Sequence, residues 1–270
     1  MKTPDTIPYE YVSRSLSFDP KKSSFTSFLE SVLDPVVVEG LVEQYQLGVT
    51  KAGDVIFFQI DREGRCRTGK VMKYDPVTGH RIKDDSSICP VTWIHALMKR
   101  RGLLPEEWAL SQCLFGEHLL SRYPDRTVAL VESEKTAVIC AGFIPEYVWL
   151  AIGGKTCLGN KLDVLSGRKV VAYPDVDAYD YWRERLVDYP NIIVSDYLQK
   201  VTGSDPSSSH MDLADLILDS HPQQGTAKNP TFQQIKRYIS PEYHSGVEAL
   251  IGDLDLVFQG ATMIPNNQNN

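Results

Sequence analysis

Three carboxylates stand where apolar runs end. Glu132 closes Thr127-Val-Ala-Leu-Val-Glu132, and Asp175 with Asp177 closes Val170-Val-Ala-Tyr-Pro-Asp-Val-Asp177. An apolar segment feeding straight into an acid is how a parallel sheet carries charge to its carboxyl edge, where α/β folds bind ligands. In extended geometry Asp175 and Asp177 point to one side, and hard carboxylate oxygens so spaced suit one or two divalent cations. Glu132 leads into Ser133-Glu134-Lys135, the start of a helix whose first backbone amides favour anions such as phosphate. Gly153-Gly154-Lys155-Thr156 follows the next apolar run, and paired glycines allow close approach to the backbone. Taken singly, each acid reads as a helix cap or a solvated loop residue.

The elements that must hold these residues follow from periodicity. From Thr127 onward, strands at 127–132, 147–152, 169–174 and 191–195 alternate with helices near 134–142, 160–166 and 178–188, the pattern of a small parallel α/β domain. Upstream, a short helix is predicted over 25–33, and Asp34-Pro35 supplies the N-cap and first position of a second helix running to Tyr45. Strands over 54–60 and 67–74 flank Asp61-Arg-Glu-Gly64 as a β-hairpin, with a further turn at Asp75-Pro-Val-Thr-Gly79. A Gly/Ser/Pro-rich loop over 202–209, a helix over 211–218, a linker over 222–229 and a weakly helical tail complete the reading. The predicted division is a lightly ordered arm at 1–30, a mixed α+β subdomain at 31–120, the parallel-sheet domain at 121–220 and an extension at 221–270.

Val128-Ala-Leu-Val-Glu132, Ala151-Ile-Gly-Gly-Lys-Thr156 and Val170-Val-Ala-Tyr-Pro-Asp-Val-Asp177, in that order, resemble the Toprim domain of bacterial-type primases, type IA and II topoisomerases and some nucleases. The resemblance implies proton transfer by Glu132, with Lys135 beside it in the catalytic set, and Mg²⁺ or Mn²⁺ held by Glu132, Asp175 and Asp177. It adds Asp212 and Asp215, whose alternative reading is an amphipathic helix with two exposed acids. Gly153, Gly154 and Lys155 would approach phosphate. Upstream, Val55 to Arg65, Lys70 to Lys83 and Cys113-Leu-Phe-Gly-Glu-His-Leu-Leu120 resemble the leader of a DnaG-type primase core. Arg65, Arg67, Lys70, Lys73, Arg81 and Lys83 then form a basic hairpin surface for nucleic acid, with Tyr74 as a ring for base stacking; a solvated hairpin face is the other reading. The chain departs from the family at Ser133, where Gly is usual, and at Ala178-Tyr179-Asp180 with Tyr181 and Trp182 beyond, where bulk is expected to narrow the metal edge.

Composition limits the remaining choices. A net charge of −7 argues against coating nucleic acid indiscriminately, while leaving room for a local basic groove. No apolar stretch approaches a membrane span and no signal peptide is apparent, so a cytoplasmic protein without a membrane partner is expected. Five cysteines lie apart with no Cys-x-x-Cys pair, so they are expected to be reduced core residues, and no zinc ribbon is expected. The expected activity is primase-like, Mg-dependent nucleotidyl transfer in replication or mobilisation of DNA. Its partners would be single-stranded DNA or RNA-DNA, nucleoside triphosphates and a helicase or zinc-ribbon protein. A Toprim nuclease and a degenerate nucleic-acid-binding accessory are the alternatives.

Overall fold

The computed structural model describes residues 5–16, 22–82, 91–203 and 211–220, with the backbone of 256–259 and 262–265. The fold is α/β, with a four-stranded antiparallel sheet joined to a four-stranded parallel one. The first half runs α1 (Tyr9–Leu16), α2 (Ser24–Val32), α3 (Pro35–Tyr45), β1 (Leu47–Val49), β2 (Val55–Ile60), β3 (Cys66–Met72), β4 (Thr92–Trp93), α4 (Ile94–Arg100) and α5 (Leu119–Arg122). The second runs β5 (Val128–Val131), α6 (Glu134–Phe143), β6 (Val148–Ala151), a 3₁₀ turn (Asn160–Leu165), β7 (Val170–Tyr173), a second 3₁₀ turn (Val176–Ala178), α7 (Tyr179–Arg185), β8 (Ile192–Val194), α8 (Tyr197–Thr202) and α9 (Leu213–Ser220).

The expected hairpin is β2 and β3, antiparallel across a turn in which Asp61 is the organiser. Its carboxylate accepts from the backbone N–H groups of Glu63 and Arg65 and from the side chains of Arg65 and Arg67. Burial alone would push this acid up, but the bonds from Arg65 and the nearby Arg67 charge outweigh it and hold its pKa below the usual range. Pro35 opens α3 behind the cap Asp34, which accepts from Val36 N–H at 2.8 Å. Within the expected arm over 1–30, Val12 of α1 is fully buried, and Ile7 pairs with Cys66 at the hairpin. Those two apolar side chains fill the outer face of the antiparallel sheet beside Ile56 and Phe58, a burial that periodicity in so short a segment does not reveal. The tail also differs from its helical expectation, because β9 (Leu256–Gln259) and β10 (Thr262–Pro265) pair as antiparallel strands. The linker at 222–229 and most of the loop at 202–209 lie outside the described residues.

One hydrophobic core joins both halves. Phe25, Phe57 and Tyr74 from the first are continuous with Val128, Leu130 and Ala172 from the second. Leu114-Phe-Gly-Glu117 forms the seam. Phe115 exchanges two backbone hydrogen bonds with Ala151, and Glu117 accepts from the N–H groups of Leu114 and Arg62, the latter in the hairpin turn. Glycine is required at 116, where φ is +80° and a Cβ would stand 3.0 Å from the Trp149 carbonyl. A buried ion pair adds a polar clamp: Lys70 of β3 donates to both carboxylate oxygens of Glu134 in the first turn of α6, at 3.1 and 2.9 Å, and to the Gly153 carbonyl at 3.1 Å.

Removing one partner of a buried pair leaves the other charge unpaired, which costs about 3–5 kcal/mol, whereas replacing both by apolar groups is often near neutral. Lys70→Met is therefore expected to lower unfolding free energy by about 3–5 kcal/mol. Lys70→Met with Glu134→Leu should recover most of that loss in urea titrations; a single variant as stable as the parent would exclude the clamp.

Candidate metal and phosphate site

The parallel sheet has the order β6-β5-β7-β8, with its first strand, β5, between the next two in chain order. Because Val131 lies level with Ala151 on one side and Tyr173 on the other, the residues just past the strands converge. Glu132 is central, Gly153 and Gly154 lie on one flank, and Asp175 and Asp177 on the other. This is the switch-point crevice where open α/β sheets take ligands. The glycine turn is tied to β5, since Gly153 N–H donates to the Glu132 carbonyl at 2.8 Å, and its positive φ of +93° suits glycine.

Each acid is held differently. Glu132 is 7 % exposed and its Oε1 is buried without a hydrogen-bond partner. Burial, then the Asp177 charge, pushes its carboxyl up to about 7, against the Asp175 backbone N–H and Lys155. Asp175 is pushed up to about 9 by burial and then by Glu132, Asp212 and Asp177. Asp177 faces Lys155, whose ammonium lies 3.1 Å from Oδ2 and also donates to the Asp177 carbonyl. Asp212 and Asp215 start α9 as a reciprocal capping box: Asp215 N–H donates to Asp212 at 2.9 Å and Asp212 N–H to Asp215 at 3.2 Å. Asp212 is buried rather than exposed on a helix face, because the Thr136 hydroxyl donates to it at 2.7 Å and binds α9 to α6. Burial raises its pKa despite the opposing Lys135 charge, and Lys135 pairs with Asp215 at 3.6 Å.

A cleft of about 260 Å³ opens between this edge and the hairpin, lined by Lys70, Arg81, Glu132, Lys135, Gly153 and Asp175 among others. The hairpin therefore does lie across the acids, but its expected nucleic-acid surface needs correction. Arg67 is buried against Asp61 at 2.7 Å, Lys70 is consumed by the clamp, and Tyr74 packs its ring against Phe25 and Phe57 in the core. The cause is shared: that face of the strand covers the parallel sheet, so its cations must pair to be buried. Lys73 is exposed, Arg65 is half-exposed and paired with Asp61 and Glu63, and Lys83 lies outside the described residues.

Sequence reasoning missed Glu134, Thr136 and Lys161. Lys161 is the least legible, a largely buried cation that donates to the Ile152 carbonyl and has its pKa lowered by burial. Glu134 carried a signal, being one of two acids flanking the N-cap of α6. The departures from the family pattern have structural causes. Ser133 is that N-cap, accepting from Thr136 N–H at 3.1 Å. Trp182 is fully buried and donates to the Lys155 carbonyl at 3.1 Å, so it supports the loop that follows the glycines. Of the cysteines, Cys66, Cys113 and Cys140 are buried as expected, but Cys157, in the loop after Gly154, is exposed, and Cys89 lies outside the described residues.

Among the described residues, no three His, Cys, Asp or Glu side chains are arranged to hold a metal ion. The donor chemistry nevertheless fits a hard divalent cation: all candidates are carboxylates, Glu132 Oε1 lacks a partner, and the acids raise one another's pKa for want of positive charge. Asp177 and Asp212 are engaged by Lys155 and Thr136, which leaves Glu132 and Asp175 as the pair in need of a counter-ion.

These shifts fix a pH dependence. Glu132 and Asp175 keep their protons in the fold to higher pH than in the unfolded chain, so their contribution to stability is greatest below about pH 4, where both states are protonated. It falls as pH rises through about 7 for Glu132 and about 9 for Asp175. Melting temperature should therefore drop between pH 5 and 9, Asp175→Asn should flatten the drop, and Mg²⁺ should raise melting most at the alkaline end, where the ligands are ionised. Calorimetry across that range, with and without Mg²⁺, checks all three.

No helix among the described residues is long and apolar enough to cross a membrane. No curated protein matches the sequence. Among solved structures, the chain is similar to the RNA polymerase domain of Mycobacterium tuberculosis primase DnaG in complex with a double-stranded DNA oligomer bearing a 6-nucleotide overhang. The identity is 11%, the TM-score 0.46, and the match covers 93% of this chain and 83% of that one. It is similar to the E. coli primase catalytic core at 13% identity and TM-score 0.43, covering 91% and 88%. The primase fragment of the bacteriophage T7 primase-helicase matches at 12% and 0.42, covering 75% and 69%. A family match covers residues 23–176, more than half of the sequence and the whole span from α2 to Asp175, so the chain belongs to the family described as a domain of unknown function, DUF6371.

Proposed function

We propose that this chain is a primase-like Toprim protein that acts on nucleic acid by metal-dependent nucleotidyl transfer, in replication or mobilisation of DNA. The observation that carries the reading is Glu132. It is a buried carboxyl with an unpartnered oxygen, beside Asp175 at the carboxyl edge of a parallel sheet, facing Arg81 and Lys135 in one cleft. A Mg²⁺ or Mn²⁺ ion bound by Glu132 and Asp175 would supply Lewis acidity at a phosphate. The rest is supplied by the chain. A carboxylate oxygen of Glu132 that the ion leaves free would accept the proton of an attacking hydroxyl. Arg81 and Lys135 line the wall where a phosphate would lie, and the amides opening α6 favour negative charge there. Exposed Lys73 remains available to a nucleic-acid backbone outside the cleft. Nucleoside triphosphates and single-stranded template are the proposed substrates, and the proposed setting is the cytoplasm.

Incubating the whole chain with single-stranded DNA, ribonucleotides and Mg²⁺ or Mn²⁺ is expected to yield short primers. Asp175→Asn should reduce product more than about 100-fold, since losing several kcal/mol of charge stabilisation is worth tenfold per 1.4 kcal/mol. Shortened template in place of primers would mean a nuclease. Binding with neither product would mean an accessory protein with a silent site, and full activity in Asp175→Asn would remove the metal role.

A further inference from the structure

Asp177, at the sheet edge beside the cleft, has its own cation. The Lys155 ammonium lies 3.1 Å from Asp177 Oδ2 and donates as well to the Asp177 backbone carbonyl, so two oxygens of one residue grip it. Its backbone is fixed from two sides. Gly153 and Gly154, both with positive φ, swing the chain back toward the sheet edge, and the buried Trp182 indole, from the helix that follows Asp177, donates to the Lys155 carbonyl at 3.1 Å. The lysine and the segment carrying Asp177 thus hold each other at both ends. Asp177 repels Glu132 while Lys155 attracts it, so this pair sits within electrostatic reach of the central acid.

An ammonium gripped by the carboxylate and the carbonyl of Asp177 occupies the oxygens that a second cation on this residue would need. We propose that Lys155 fills the second cation position of this cleft, so that the chain binds one divalent ion, between Glu132 and Asp175, and supplies the other positive charge itself. This rests on the metal reading of the site above. It also gives the Gly-Gly-Lys loop a defined place: the ammonium, with a donor left over beyond its two contacts to Asp177, faces the same phosphate as the bound ion from the Asp177 side.

The test counts bound ions in the whole chain without substrate, using Mn²⁺ and electron paramagnetic resonance to separate free from bound metal. The parent protein is expected to bind one Mn²⁺, Lys155→Met two, and Lys155→Arg one. Lys155→Gln, which retains a donor to Asp177 without the charge, substitutes for the Met variant if circular dichroism shows that variant unfolded, and should also bind two. Two ions in the parent, or one in both uncharged variants, overturns the lysine proposal while leaving the metal site standing. Asp175→Asn should lose the parent's ion. Unchanged binding in that variant, or no ion in any protein, overturns the metal reading itself and the lysine proposal with it.

Discussion

The buried pair between Lys70 and Glu134 is the constraint on which the cleft depends. Lys70 is on the antiparallel sheet, Glu134 opens the helix after the central parallel strand, and the same ammonium takes the Gly153 carbonyl. Three pieces of the site wall are fixed by one cation. A buried charge tolerates little displacement, because every ångström away from its partners exposes an uncompensated desolvation penalty. The apolar core that also joins the halves is indifferent to small slips, as dispersion and hydrophobic burial have no direction. The core therefore supplies the adhesion and the pair supplies the alignment of hairpin, helix and glycine loop.

Alignment matters because the acids by themselves would spread apart. Five carboxylates, Glu132, Asp175, Asp177, Asp212 and Asp215, sit close enough for Asp175 to feel the other four. The fold offsets this repulsion unevenly: Lys155 serves Asp177, Thr136 and Lys135 serve Asp212, and Glu132 and Asp175 receive least. Uneven compensation concentrates the unmet demand for positive charge at the centre of the sheet edge. There the two acids keep protons that they would surrender in water, and a divalent ion would replace those protons.

The parallel sheet was legible because apolar runs of four or five residues separated by helical segments admit few other arrangements. The position of Glu132 and Asp175 at the carboxyl edge was legible because each directly follows an apolar strand run. The basic hairpin misled for a physical reason. A lysine or arginine on a strand reads as solvent-facing unless its buried partner is known, and the partners of Arg67 and Lys70 lie 6 and 64 residues away. Long-range pairing of this kind leaves no periodic trace. Nor does the burial of Ile7 and Val12, which depends on a surface made by residues near position 60.

Two side chains tighten the sheet edge that carries Glu132 and Asp175. Ser133 satisfies an orphan amide at the start of α6 and contacts the hydroxyl that fastens Asp212. Trp182 buries its ring and spends its one donor on the loop that carries Lys155. Neither side chain supplies a partner to Glu132 Oε1. A buried carboxyl that lacks a partner costs stability, and a cation bound there would offset that cost.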